Sequence, residues 1–120
     1  MARQSCGGGA AAPAAAPVNP LVSVSPNYVS IPMEMMVNKP AKDVWARVGK
    51  YCDIAEWFRT TCTITSGAGN DLGTVRVLGL GVTEMLVAKT DLSYTYAQPV
   101  RVGVPYNAYH GTLEAKPMTA

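Results

Sequence analysis

The sequence predicts an α+β fold, a curved antiparallel sheet with two short helices after its first strand. Two observations carry this expectation. The hydrophobic period changes from two over residues 28–37 to helical over residues 40–58. After residue 60, runs rich in apolar and β-branched residues follow one another through short turn-forming connections with no helix between them, so neighbouring strands should be antiparallel.

Each element has its own reason. Over 28–37, Val29, Ile31, Met33 and Met35 share one face, while Ser30, Glu34 and Met36 take the other. Pro32 suits an edge position, where a missing N–H is tolerated, or a late start of the strand. Pro40 is placed for a first helical turn, and Asp43 sits where a carboxylate favours the helix dipole. Ala41, Val44, Trp45, Val48 and Tyr51 then form an apolar stripe over 40–51, with Trp45 a core residue. Asp53 followed by Glu56 reads as a capping-box start for a second helix over 54–58. Two successive short helices suit a layout in which helices plug the mouth of a curved sheet. Strands are expected over 62–66, 74–78, 82–89, 92–97 and 106–115, with Gly79–Leu80–Gly81 as a tight hairpin loop.

Composition excludes several classes. The chain has 120 residues, 48% apolar and 15% charged, with a net charge of +2, enough for one modest core. Its ten Lys and Arg are scattered rather than gathered into a patch, which argues against nucleic acid as a partner. Pro, Gly or charge breaks every apolar run within a few residues, so no membrane span is expected.

Residues 1–27 read as a disordered Ala-, Gly- and Pro-rich leader. Pro13 and Pro17 interrupt it where a secretory signal needs an unbroken apolar run. The residues before Cys6 lack the apolar stretch of a lipoprotein signal. A cytoplasmic chain is the expectation, and an exported one, with the leader a remnant of a signal, is the alternative. Three cysteines do not make a disulfide framework, and Cys52 with Cys62 are candidates for a pair only in an exported chain. No two cysteines lie at metal-ligand spacing and His110 is the single histidine, so no metal or other cofactor is expected.

Arg76 and Glu84 are the first candidates for chemistry. A hairpin turning about Leu80 sets them directly opposite each other. With Leu78 and Leu86 on the same face, the pair is either a buried polar anchor on the concave side or an exposed ladder pair. Tyr94, Tyr96, Tyr106 and Tyr109 offer phenolic hydroxyls on large apolar rings, and Tyr109 shares a strand face with Leu113 and Ala115. His110 falls on the opposite, solvent-facing side with Thr112 and Glu114, which leaves no nucleophile–histidine arrangement. Asp53 and Glu56 are explained by capping.

The ordered string Pro40–Ala41–Lys42–Asp43–Val44–Trp45, Trp57, Gly73–Thr74–Val75–Arg76, Glu84, Asp91, Tyr94, Tyr96, then Pro105 through Tyr109 with Thr112–Leu113, resembles the START-like (SRPBCC) superfamily. Within it, the resemblance is to the polyketide cyclase/dehydrase-like branch, and it covers nearly everything after Tyr28. It implies a helix-grip fold, in which a bent sheet grips one long C-terminal helix around a cavity for a hydrophobic small molecule, lipid- or polyketide-like. The cavity residues it implies are Trp57, Arg76, Glu84, Leu86, Tyr94, Tyr96, Tyr109 and Leu113, with Trp57 at the entrance. Up to Ala120 the chain carries no strand after Ala115 and no grip helix, so residues 28–120 are expected to be a C-terminally incomplete domain. A covering partner or a domain-swapped homodimer are the alternatives. A non-catalytic carrier is the expected function. One alternative is a cyclase or dehydratase-like enzyme in which Arg76 polarises a carbonyl, Glu84 acts as base and a tyrosine steadies the enolate. Another is an interaction module using the uncovered sheet face.

Overall fold

Pro40 fixes the start of the ordered elements. Its carbonyl accepts the Asp43 and Val44 N–H groups at 2.9 and 3.1 Å, opening helix α1, Ala41–Val48. This is a computed structural model describing residues 27–100 and 102–118. Helix α2 is Ile54–Trp57, and the strands are β1 Cys62–Ser66, β2 Val75–Leu78, β3 Val82–Thr90, β4 Ser93–Gln98 and β5 Tyr109–Glu114. They form one antiparallel sheet in sequence order, β1-β2-β3-β4-β5. The α+β class and the chain of short connections therefore hold.

The chain divides into two units, Met1–Glu34 and Met35–Ala120. In the first, the expected leader lies outside the described residues apart from Asn27. The described residues of 28–37, which run into the second unit, contain no strand, contrary to the sequence expectation, so both helices precede every strand of the sheet. Pro32 contributes no N–H to a ladder, and Val29, Ile31, Met33 and Met35 all stay exposed, so their alternation gains no burial.

Within the second unit, the β2–β3 hairpin has the expected register, Arg76↔Glu84. Gly79 and Gly81 both adopt positive φ, 50° and 112°, which lets so short a loop close without a Cβ clash. The Gly81 N–H donates to the Leu78 carbonyl at 3.0 Å. Two bulges interrupt the ladders, one between Ile64 and Ser66 and one between Leu86 and Ala88. An extra residue on one strand bends it and increases its twist. After the second bulge, Lys89 pairs with Tyr94.

Neither carboxylate of the second helix caps it. Asp53 is itself helical in backbone, φ −61° and ψ −21°, and its Oδ2 accepts the Lys50 N–H at 2.9 Å. Glu56 instead meets Arg47 of α1 at 2.8 Å in an exposed ion pair, worth about 1 kcal/mol at most. A disulfide joins Cys52, between the helices, to Cys62 at the start of β1, with Cα atoms 5.5 Å apart. Closing a loop this short stabilises by about 2–3 kcal/mol on chain-entropy grounds. The core is small: Tyr51, Leu86 and Tyr94, with Trp45, Ile64, Tyr96 and Leu113 packed around them. Among the described residues no helix is long and apolar enough to cross a membrane.

Candidate functional site

Strand parity builds the site. Arg76 on β2, Glu84 and Leu86 on β3, and Tyr94 on β4 are all buried, and Leu86 pairs with Tyr96 across the β3–β4 ladder. Of the two sequence alternatives for Arg76 and Glu84, the buried anchor holds. Arg76 is 0% and Glu84 4% exposed.

Their hydrogen bonding is nearly saturated. Arg76 Nε and Nη2 donate to Glu84 Oε1 at 3.0 and 2.7 Å. Its Nη1 donates to the Tyr51 carbonyl at 2.6 Å and to the Tyr94 hydroxyl at 3.2 Å. A guanidinium has five N–H groups, so little is left for a substrate. The other Glu84 oxygen accepts from Gln98 Nε2 at 2.9 Å, and Gln98 Oε1 accepts from the Tyr106 hydroxyl at 3.2 Å. A polar chain thus runs from Tyr94 to the connection before β5.

Three rings enclose the cation. The Arg76 guanidinium carbon lies 4.0 Å from the Tyr51 ring centroid, 5.2 Å from Tyr96 and 5.4 Å from Tyr94, within cation–π range. Tyr51 and Tyr94 meet edge to face at 5.3 Å, and Trp45 tilts onto Tyr94 at 5.7 Å. Gly111, opposite Tyr96, leaves room for that ring, since a Cβ there would run into it. The Tyr51 hydroxyl is buried and has no hydrogen-bond partner among the described residues.

Burial shapes the titration of this cluster. By itself it works against the Arg76 charge, but the Tyr94 hydroxyl and Glu84 outweigh it and raise the Arg76 pKa overall. Burial, with Glu84 next, pushes the Tyr96 phenol up to about 12. It raises Tyr51 and Tyr94 too, with Arg76 opposing in both. The unfolded chain, whose phenols titrate near 10, therefore releases these protons first as pH rises. Stability is intact below about pH 10 and falls as pH climbs toward the folded-state values. Phenolate absorbance followed alongside unfolding should show three late-titrating tyrosines whose ionisation accompanies loss of structure. Six tyrosines ionising together in a folded protein would contradict this.

A cleft of about 300 Å³ opens on the same face, lined by Trp45, Tyr51, Leu86, Lys89, Asp91 and Tyr94 among others. Lys89 Nζ donates to the Asn70 carbonyl at 2.8 Å, and Asn70 Oδ1 accepts the Tyr51 N–H at 2.9 Å.

Of the residues expected in the cavity, Leu86 and Tyr94 line this cleft, while Arg76, Glu84 and Tyr96 lie in the buried cluster around the guanidinium and are not among its lining residues. Leu113 packs against this core. Tyr109 is 42% exposed and contacts Tyr96 and Tyr106 through their rings. Trp57 is absent from the cluster; it is equally exposed and packs against Phe58. Trp45 packs against the core and also lines the cleft, whereas Trp57, expected at the entrance, is not among the cleft's lining residues. Sequence reading missed Tyr51, Gln98, Asn70 and Lys89 as site residues. His110, paired with Ala97, is exposed. Among the described residues no group of three or more His, Cys, Asp or Glu is placed to hold a metal ion. Compared with family models, with curated proteins and with solved structures, the chain matches none of them.

Proposed function

We propose that this domain binds a hydrophobic small molecule, lipid- or polyketide-like, on the aromatic face of its sheet, in the manner of a START-like helix-grip domain. The observation that carries the reading is the cleft of about 300 Å³, in which Trp45, Tyr51, Leu86 and Tyr94 form an aromatic and apolar wall and Lys50, Asn70, Lys89, Thr90, Asp91 and Ser93 a polar rim. That volume is at the lower end of small-molecule sites, which are mostly apolar with a few placed polar groups. In a helix-grip fold the cavity lies between this face and a long helix, so the cleft would be one wall of a larger space. The order of motifs from Pro40 to Leu113 supports the same reading.

The saturation of Arg76 and Glu84 favours binding over cyclase or dehydratase chemistry. A guanidinium already donating to Glu84, Tyr51 and Tyr94 has to break a bond to polarise a substrate carbonyl. A carboxylate whose two oxygens hold Arg76 and Gln98 is a poor base. The Cys52–Cys62 disulfide supports an exported protein over a cytoplasmic one, since such bonds persist in oxidising compartments.

The test is titration with the apolar dye Nile red, followed by displacement with a fatty acid and with an aromatic polyketide. Saturable, displaceable binding is expected, weakened about tenfold by Trp45→Ala, in line with loss of one buried aromatic wall. Dye binding that neither competitor displaces would end the carrier reading and favour an interaction module, with the sheet face covered by a partner or a second copy.

A further inference from the structure

We propose that the Cys52–Cys62 disulfide is a redox latch that holds Tyr51 as a cover over the Arg76–Glu84 pair. Tyr51 directly precedes Cys52, in the connection between α1 and α2. Its ring lies on the guanidinium at 4.0 Å, and its carbonyl accepts Arg76 Nη1 at 2.6 Å. The bridging Cys62 sulfur lies 4.0 Å from that same carbonyl oxygen. Three features of the cover therefore converge within one residue of the cross-link.

The two ends of the bridge have different mechanical standing. Cys62 is in β1, an edge strand held to β2 by the ladder that pairs Cys62 with Leu78. Cys52 is in neither helix nor strand. Closed, the bond ties an irregular connection to a hydrogen-bonded strand. A dithiol reductant supplies two electrons and two protons, cleaves the Sγ–Sγ bond to two thiols and leaves as its own disulfide. The connection is then held by the Asn70 and Arg76 hydrogen bonds to Tyr51 and by ring packing.

The buried Tyr51 hydroxyl makes the cover a segment ready to open. It has no partner among the described residues, and exposure lets water satisfy it. Opening also takes the Tyr51 carbonyl away from Arg76 Nη1, so that the guanidinium seeks an acceptor. If the face binds ligand as proposed above, a ligand carbonyl or carboxylate becomes that acceptor, and reduction adds a polar anchor beside the cleft at the expense of its Tyr51 wall.

Hydrogen exchange on the intact chain, oxidised and after dithiothreitol, tests the latch without any ligand. Amides of 49–57 are expected to exchange about tenfold faster or more on reduction, as a locally opening segment does. Exchange in β3 and β4 should stay unchanged, and reoxidation should restore protection. A Cys52→Ser/Cys62→Ser variant should match the reduced protein without any reductant present. Unfolding of the whole sheet on reduction would make the bond a general staple, and unchanged exchange over 49–57 would show that Tyr51 holds without it; either result overturns the latch. Nile red displacement, run on both redox forms, separates the two ideas. A latch that opens in a protein with no displaceable binding leaves the latch standing and removes the binding reading.

Discussion

Glu84→Leu lowers the free energy of unfolding by about 3–5 kcal/mol, because it leaves the Arg76 charge buried without its counter-ion. The burial on both sides of the pair makes the effect large, and so does the enclosure of Arg76 by Tyr51, Tyr94 and Tyr96. Urea denaturation reads it directly. Arg76→Met leaves the buried Glu84 carboxylate without its counter-ion in the same way, with a loss of similar size. Combining Arg76→Met with Glu84→Leu should recover much of the stability, because apolar groups of similar volume remove both desolvation penalties at once. Additive losses in the double variant would mean that the two residues act independently, contrary to the bonds at 2.7 and 3.0 Å between them.

Tyr51 divides into a ring and a hydroxyl with opposite expected effects. Tyr51→Ala removes a ring that is 1% exposed and covers a cation, costing about 3–5 kcal/mol as other buried aromatic truncations do. Tyr51→Phe deletes a buried hydroxyl without a partner and should leave stability unchanged or raise it by about 1 kcal/mol. It should also remove one of the late-titrating phenols and soften the alkaline loss of stability. A drop of more than about 1 kcal/mol for Tyr51→Phe would show that the hydroxyl is bonded after all.

Local signals were legible and distant ones were not. The Arg76–Glu84 pairing could be read because a loop as short as Gly79–Leu80–Gly81 leaves the hairpin one compact register. The five strands after residue 60 were legible for the same reason, each being bounded by its own turn residues. Tyr51 meets Arg76 across a separation of 25 residues. Its place on the helical stripe said that it would be buried, and nothing in the pattern said against what. Asp53 and Glu56 had capping spacing, but their side chains found Lys50 and Arg47 instead. The alternation over 28–37 looked like a strand because period two describes which way side chains point. A strand also needs a neighbouring edge, and a sequence pattern does not supply one.

The extra residue of β3, opposed by nothing on β4, gives the two hairpins separate rulers. On one side of it Glu84 is measured from the turn at Leu80; on the other, Lys89 is measured from the turn after Thr90. Deleting Val87 leaves Leu86 opposite Tyr96 and Lys89 opposite Tyr94, and changes only how sharply the strand bends between them. The bend at Val87 thus lets one strand serve two surfaces, its first half carrying the buried ion pair and its second half the lysine wall of the cleft.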